Sequence, residues 1–578
     1  MVGWRGSTGG LASDVKAITK RVVESEEDII LRQCYRGLLD ASRLASVTRT
    51  HGHDTSDEDE VGEMRIRSGG ARGHGPPGVV RIGGRRRGFA DGAGLCSTGR
   101  WTPERRRLVD WPLRAWLLVA LKAILVKHVE VKRLVCMMAV GKVTQNPFSD
   151  EMCVEGRAAL IRSLGMASHD EGLLEVPEGQ CFFLKLIGEL LHVAGDPDWR
   201  VYSGGRRNFG EGVPLGYREP LPRTPAVFRR KVKWRQYDDD KLQWQQTGNY
   251  GQTDERRKAI HAQFEAERSL GMMTEKPLAA ARIEFGQRLR IASLGSLAKS
   301  DESYQVLHDG THRVLINPEV RPRDQIEVPG IGQEKFIMGD LAARGSSAFS
   351  LVADVEKAHR RFKVLPRDHG LVACQLEPDK VWLNHVGVFG IGSSGYWFAR
   401  LIAGPTRLMM MLFGRELLWM LLYSDDYKWV SAGAGCMTNL LLAIFFLQLL
   451  GVPLAYRKIR GGFEVEWIGY AMDYKTFSAG ISESRCQWLI GFVADIVATG
   501  VVVISDFEAP LGRSGFAAGP LELTRPFLSF GYAWVHTVPR HARVQLPMAV
   551  PSDVEVDSWS SAPWPSIATF PPTCFAPR

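Results

Sequence analysis

The stretch LLWMLLYSDDYKWV (417–430) constrains the fold more than any other part of this 578-residue chain. Two apolar runs flank Ser-Asp-Asp, which is the pattern of two strands joined by a tight turn. Asp425 and Asp426 can serve turn chemistry alone. Alternatively, they can be half of a cation site, because neighbouring carboxylates on apolar strands repel each other and lose hydration. A hairpin is predicted in either case.

A third carboxylate stands upstream of this hairpin. FSLVAD (349–354) is typical of a buried strand, and it ends in Asp354. If this strand lies beside the hairpin, three carboxylates share one sheet surface. Such a set can hold two Mg²⁺ ions (or Mn²⁺), which activate a 3′ hydroxyl and stabilise a leaving pyrophosphate. The sequence therefore predicts a two-metal site for phosphoryl chemistry.

A glycine-rich turn lies between these acids. In GVFGIGSSGYWFARL (387–401), Gly390, Gly392 and Gly395 spell G-x-G-x-x-G between a strand-like run and a helix, as in dinucleotide-binding proteins. Against that interpretation, the next element is predicted to be a hairpin rather than a parallel strand. The turn can equally let the base and sugar of a nucleotide approach the backbone, or bind no ligand.

Charge, cysteines and hydropathy restrict the partners and the location. The net charge of +9 favours a polyanionic partner. The nine cysteines show no zinc-type spacing, which indicates a reducing, intracellular compartment, either cytoplasm or nucleus. The apolar runs 115–126, 407–423 and 440–455 are each short or interrupted by polar residues, so no membrane partner is expected.

Composition changes along the chain predict its organisation. The N-terminal part is rich in Gly, Arg and acidic blocks that cannot offset the entropy of folding, so it is expected to be largely disordered. The predicted segments are a disordered low-complexity region (1–105), a helical region of unknown role (106–200), a linker and helix (201–270), strands mixed with helices (271–480), a mainly helical region (481–546) and a Pro-rich tail (547–578).

With these motifs in order, residues 271–546 resemble the reverse transcriptases of retrotransposons, most closely those of DIRS-like elements, which encode a tyrosine recombinase. LVADVEKAHRRFKV resembles the strand that bears the first catalytic Asp, YSDDYKW the tyrosine-x-Asp-Asp box, and FGIGSSGYWFARL the turn that contacts nucleotide and template. The resemblance implies an α+β right-hand polymerase. Fingers and an antiparallel palm sheet would span 271–480, and a thumb would span 481–546.

The resemblance also implies roles for individual residues. The metal ligands would be Asp354, Asp425 and Asp426, with Lys458 as the acid that protonates pyrophosphate. The remaining assignments are Lys299, Gln305, His359, Phe389 and Gly390 for the nucleotide, and Trp467 and Gly469 for the primer grip.

Two of these positions depart from the family pattern. Gln305 stands where the family usually has Arg, and it cannot offer a cationic fork to phosphates. His359 stands where an aromatic steric gate excludes the ribose 2′-OH. His is still planar, so some ribose exclusion could persist.

The sequence thus predicts an RNA-directed DNA polymerase that extends a primer on an RNA or DNA template with deoxynucleoside triphosphates. The first alternative is a catalytically decayed protein of this fold that still binds nucleic acid. It is motivated by Gln305 and by the absence of an RNase H or recombinase segment in the tail. The second alternative is a dinucleotide-binding oxidoreductase. RRKVKWRQY (229–237) fits either nucleic-acid contact or a linker.

Overall fold

The computed structural model describes most of the chain after residue 113. The described residues are 95–96, 99–100, 114–166, 171–225, 229–234, 248–251, 253–298, 304–345, 347–520, 525–545 and 568–569. Helices and strands are mixed, so the predicted α+β class is confirmed. The predictions for 1–105 and 547–578 fall outside the described residues, apart from three two-residue strands.

Thirteen helices lie within the described residues. They are α1 (Arg114–His128), α2 (Val131–Ala139), α3 (Asp150–Ser163), α4 (Leu184–Val193), α5 (Arg200–Ser203), α6 (Asp254–Ser269), α7 (Leu278–Phe285), α8 (Ile331–Ala343), α9 (Ser394–Phe413), α10 (Cys436–Leu449), α11 (Glu483–Thr499), α12 (Ile504–Ala517) and α13 (Leu528–Thr537).

The strands of the described residues are short. They are β1 (Leu95–Cys96), β2 (Gly99–Arg100), β3 (Arg229–Arg230), β4 (Met273–Pro277), β5 (Ile291–Ala292), β6 (Leu294–Ala298), β7 (Tyr304–His308), β8 (Asp324–Gln325), β9 (Ala348–Asp354), β10 (Ala373–Cys374), β11 (Lys380–Asn384), β12 (Trp419–Tyr423), β13 (Asp426–Ala432), β14 (Arg460–Gly462), β15 (Glu464–Trp467), β16 (Tyr470–Asp473), β17 (Ser478–Ile481), β18 (Val501–Val503), β19 (Arg543–Gln545) and β20 (Ala568–Thr569).

A four-stranded antiparallel sheet in the order β12-β13-β9-β14 carries the predicted acids. The predicted hairpin is confirmed, since β12 and β13 pair from Tyr423 opposite Asp426 to Trp419 opposite Val430. Strand β9 pairs with the other side of β13 and brings Asp354 opposite Asp426. Residues directly opposite each other in an antiparallel pair have Cα atoms only about 4.5–5.5 Å apart.

Both faces of this sheet are covered, which explains why its strands are apolar almost throughout. Phe349 and Leu351 of β9 face the larger core, with the helices α9 and α10. Ala348 and Val352 face a smaller core shared with α8 and with the sheet β15-β16-β17. The alternation follows from the two-residue period of a strand. The open end of the sheet, where the acids lie, is left accessible.

The helices before residue 210 belong to the same core as the sheet. Their apolar residues pack with α9 and α10 in one continuous cluster. Two buried ion pairs reinforce this contact, Arg400 with Asp198 at 2.5 Å and Arg407 with Asp196 at 2.5 Å. Tyr202 adds a buried hydroxyl that donates to the Arg400 carbonyl at 2.7 Å. The region predicted to have an unknown role therefore supports the helix that follows the glycine-rich turn.

A second sheet, in the order β4-β11-β10-β5, lies on the other side of that turn. Strand β11 precedes the glycines and pairs antiparallel with β4 and with β10. The strand after helix α9 is β12, which belongs to the first sheet. A dinucleotide-binding fold needs two adjacent parallel strands joined by this helix. The oxidoreductase interpretation is therefore wrong.

Helices α11, α12 and α13 lie after β17, with the small β18–β19 ribbon beside them. Strand β18 covers only three residues, and α12 begins directly after it at Ile504. In the part of the chain that the structure describes, no helix is long and apolar enough to cross a membrane.

Candidate active site

The three predicted carboxylates meet at the open end of the first sheet. The β12–β13 hairpin turns through Ser424, which has a left-handed backbone (φ 59°), and Asp425. Such a residue at the first central position matches the right-handed twist of the paired strands. The Val355 N–H donates to the Asp425 carbonyl at 2.9 Å, and the Ala455 N–H donates to the Asp354 carbonyl at 2.8 Å. Backbone bonds thus fix all three acids relative to one another.

The electrostatics of this cluster favour a cation. Burial and the nearby Asp354 charge raise the pKa of Asp425 above its usual value. Burial, followed by the charges of Asp425 and Asp354, raises the pKa of Asp426 to about 6. Lys458, in the short 3₁₀ turn after helix α10, donates a hydrogen bond to Asp354 and forms an ion pair with it. One lysine therefore balances only part of the negative charge.

The residue set fits divalent metal binding, although the side chains are not yet gathered around one point. Among the described residues, one group of three His, Cys, Asp or Glu has all its ligand atoms within 4.8 Å of one another, and it consists of His128, Glu151 and Glu155. The three aspartates do not form such a group. Ion binding by the aspartates would therefore draw their carboxylates together. It would also compete with Lys458 for Asp354.

A large cavity of about 640 Å³ opens on one side of the carboxylates. Asp354, Asp425 and Lys458 line this cavity, and so do Gln305 of β7 and Phe389 of the glycine-rich turn. Its volume falls in the range of small-molecule sites. The structure thus brings Gln305 and Phe389 to the same space as the acids.

Of the other three residues predicted to contact the nucleotide, the two that the structure describes are not among those that line this cavity. His359 is not among the cavity-lining residues; its ring packs 4.5 Å from that of Phe389, and burial lowers its pKa to about 4. Gly390 has a φ of 101°, and a Cβ there would lie 1.9 Å from the His308 carbonyl oxygen, so only glycine fits. Lys299 lies outside the described residues.

A small cavity of about 270 Å³ opens on the other side of the same carboxylates. It is lined by Asp354, Asp426 and Lys458, and by Trp467 and Ile468 of the β15–β16 hairpin. The structure thus brings predicted grip residue Trp467 close to the acids.

The turn of that hairpin has an unusual backbone. Ile468 (φ 46°) and Gly469 (φ 83°) are both left-handed, as a two-residue type I′ turn requires. A β-branched residue such as Ile rarely adopts this conformation, so the turn is strained. Gly469 also leaves room for Arg485, whose Nε would lie 2.1 Å from a Cβ at this position.

Two buried ionic groups lie beside these cavities, outside the set of site residues predicted from the sequence. In the large cavity, Arg360 donates to Glu267 and, at 2.6 Å, to the Asn384 side chain. Behind the small cavity, Lys428 of β13 pairs with Glu334 of α8 at 2.8 Å, with both side chains fully buried. The sequence does carry a signal for Lys428, because it interrupts the apolar run of a strand that is buried on both faces.

Comparison with known proteins gives structural neighbours only. No family model matches the chain, and neither does any curated protein. It is similar to the foamy viral protease-reverse transcriptase dRH in complex with double-stranded DNA, at 13% identity and a TM-score of 0.40, over 55% of this chain and 50% of that one. It is also similar to the foamy viral protease-reverse transcriptase in complex with RNA/DNA hybrid, at 13% identity and a TM-score of 0.35, over 52% of this chain and 36% of that one.

A third neighbour is the foamy viral protease-reverse transcriptase in complex with double-stranded DNA, at 13% identity and a TM-score of 0.38, over 56% of this chain and 61% of that one. The chain thus spans less than two thirds of each of these three proteins. Its function is inferred below from its own side chains.

Proposed function

We propose that this chain is an RNA-directed DNA polymerase of a retroelement, which extends a primer on an RNA or DNA template. The observation that carries the proposal is the position of Asp354, Asp425 and Asp426 at one end of an antiparallel sheet, between two cavities. One cavity would take the incoming deoxynucleoside triphosphate, and the other the primer end. In this proposal residues 271–480 form fingers and palm, and 481–546 form the thumb.

The three aspartates would hold two Mg²⁺ or Mn²⁺ ions. When bound, these ions would make the 3′ hydroxyl a better nucleophile and neutralise charge on the reacting phosphates. Two features of the chain support this role, namely the pKa of about 6 at Asp426 and the backbone bonds that prevent the acids from moving apart.

The chain's own groups then have separate tasks in the reaction. The primer 3′ oxygen bonds to the α-phosphorus while the bond from that phosphorus to the bridging oxygen of pyrophosphate breaks. The 3′ hydroxyl would release its proton to solvent, and Lys458 would give a proton to the leaving pyrophosphate and later regain one from solvent. Lys458 suits this task because its Nζ reaches Asp354 and lines both cavities. Phe389 and Gln305 would contact the nucleotide.

A basic ribbon on the surface suits the polyanionic partner. We define it as residues 229–234, which include β3, and residues 321–325, which include β8. It exposes the basic side chains of Arg230, Lys233, Arg321 and Arg323, together with 71% of Val232 and 42% of Trp234. Cations interleaved with an exposed aromatic ring are suited to a single nucleic-acid strand.

Primer extension by the full-length protein tests the proposal. We expect Mg²⁺-dependent extension on a primed template, and a fall of about 10³-fold in kcat for Asp425→Asn, because charge stabilisation worth several kcal/mol is lost. Asp473→Asn, a β16 carboxylate that lines neither cavity, is the matched control and should keep wild-type activity.

The outcome that contradicts the enzyme is equally concrete. If wild-type protein binds primer–template in a salt-dependent manner yet extends no more than Asp425→Asn, the chain is a decayed protein of this fold. Gln305 in the place of a cation is the feature that favours this second candidate.

A further inference from the structure

The buried lysine behind the small cavity has no task in the reaction described above. Lys428 lies in β13 two residues after Asp426, so both side chains leave the strand on the same face. On that face the surroundings are otherwise apolar and include Trp467, Tyr470 and Tyr474. An ammonium in such a place is costly unless it is paired.

The partners of Lys428 come from three different elements. Its Nζ lies 2.8 Å from a Glu334 oxygen of α8. It also lies 5.4 Å from the ring centroid of Trp467 at the end of β15 and 5.3 Å from that of Tyr474, just after β16. Both distances are within the range of cation–π attraction, which is stronger when the cation is desolvated. Tyr474 in turn donates to Glu334 at 3.3 Å.

These contacts connect the strand of a metal-ligating residue to the hairpin that faces it. Trp467 is followed by the strained turn at Ile468 and lines the small cavity together with Asp354 and Asp426. A lysine that holds the Trp467 ring from β13 therefore fixes the hairpin tip relative to Asp426. An apolar side chain of similar length could fill the space, but it would exert no directional attraction on the two rings.

We propose that Lys428, held by Glu334, is a positioning residue that sets the Trp467–Ile468 turn against the primer end in the small cavity. The inference rests on the proposed polymerase function and deepens it. Lys428 acts through Trp467, since it lines neither cavity itself. Its loss should therefore affect use of the primer and leave nucleotide binding in the large cavity unchanged.

The test compares paired replacements in the full-length protein. Lys428→Met with Glu334→Gln removes both charges without leaving either one buried alone, so the double variant is expected to fold with a thermal midpoint close to that of wild type. Because displacement of a reacting group by about 1 Å can cost about 10²-fold, we expect the KM for primer–template to rise, or kcat to fall, by about ten- to a hundredfold. The KM for the nucleoside triphosphate should stay within about twofold of wild type.

Two controls separate positioning from general stability. Arg400→Met with Asp198→Asn removes another buried ion pair whose side chains line neither cavity, and it should leave the KM for primer–template unchanged. Lys428→Arg keeps a cation between the rings and should recover part of the primer effect.

The failure of the inference can be told apart from the failure of the proposed function. Unchanged KM and kcat for primer–template in the folded Lys428→Met/Glu334→Gln variant would overturn the inference while wild-type extension still stands. Absence of extension by wild-type protein would instead overturn the proposed function, whatever the state of Lys428. An equal rise of both KM values would indicate a structural role and would also overturn the inference.

Discussion

At the scale of single residues, the candidate site is a region of excess negative charge beside one lysine. Asp354 of β9 lies directly opposite Asp426 of the neighbouring strand β13, and Asp425 precedes Asp426 in the turn. Neither burial nor repulsion favours the ionised forms of Asp425 and Asp426, which is why the pKa of Asp426 reaches about 6. Such a cluster lowers stability, and this cost is what the cation site proposed above would entail.

The pH dependence of stability should reveal this cost. Unfolded Asp has a pKa of about 3.9, whereas folded Asp426 has a pKa of about 6, so the folded state binds this proton more tightly. Between about pH 4 and pH 6 the unfolded state ionises first. The contribution of Asp426 to the free energy of unfolding therefore falls as the pH rises and is lowest above about pH 6.

We expect the thermal midpoint of Asp426→Asn to exceed that of wild type at pH 7 and to approach it at pH 4. Comparing the two proteins isolates Asp426 from His308 and His359, which also titrate abnormally but are common to both. Added Mg²⁺ should raise the midpoint of wild type more than that of the variant at pH 7. A difference that does not change with pH would contradict the electrostatic account.

Discrimination between ribose and deoxyribose should depend more on Phe389 than on His359. Phe389 lines the large cavity, whereas His359 supports its ring from behind. We expect Phe389→Ala to reduce the ratio of kcat/KM for deoxynucleotides over ribonucleotides by at least about tenfold, with a smaller effect for His359→Ala. Steady-state incorporation of both nucleotide types measures this ratio. A larger effect of His359→Ala would place the gate at that residue.

At the scale of elements, two hairpins and one helix turn surround the carboxylates. The β12–β13 and β15–β16 hairpins both turn through two residues, and both use a left-handed non-glycine residue, Ser424 and Ile468. Such conformations persist only where the surrounding structure holds them in place. Here paired strands and a buried core hold both tips, so each tip presents its side chains in one orientation.

The basic ribbon should determine how strongly nucleic-acid binding depends on salt concentration. If Lys231 and Lys233 contact phosphates of a single strand, replacing both with Gln should reduce the slope of log K against log salt concentration by about 1.4, because each contact contributes about 0.7. Fluorescence anisotropy with a single-stranded oligonucleotide measures the slope. Lys132→Gln with Arg133→Gln on α2 is the matched control with equal loss of charge. An unchanged slope would show that the ribbon binds no nucleic acid.

At the scale of the whole molecule, the hydrophobic core extends beyond residues 271–546, the segment that resembles a polymerase. Residues 114–225 bury apolar side chains against α9 and α10 and pair with Arg400 and Arg407. Without them, two buried guanidinium groups would lose their carboxylate partners.

We therefore expect a fragment of residues 271–546 to be insoluble or to lack a cooperative thermal transition, whereas a chain that begins at residue 114 should fold. In the full-length protein, Asp198→Asn should cost about 3–5 kcal/mol of unfolding free energy, because it leaves Arg400 buried and unpaired. Chemical denaturation measures this change. Asp254→Asn, an exposed first-turn residue of α6, should have little effect. A stable 271–546 fragment would contradict this account of the core.

Local sequence patterns were sufficient to predict the β12–β13 hairpin, the strand that ends in Asp354 and a helix before residue 270, which Thr253 caps in the structure. Each depends on neighbours within a few residues, namely apolar runs, turn residues and a side-chain cap. The order of the motifs also predicts Asp354, Asp425, Asp426 and Lys458 as site residues, without any knowledge of tertiary contacts.

Only the tertiary structure decided which surfaces share a core. Strand pairing showed that β11 and β12 belong to different sheets, which excluded the dinucleotide-binding fold that G-x-G-x-x-G suggested. Packing placed His359 behind Phe389, tied the first helices to α9, and brought Lys428 to Glu334, 94 positions earlier in the chain (428 − 334). Such contacts join residues far apart in sequence, and their energy depends on burial and charge pairing that no local pattern encodes. The acids of the site are thus determined by sequence, and their environment is determined by the fold.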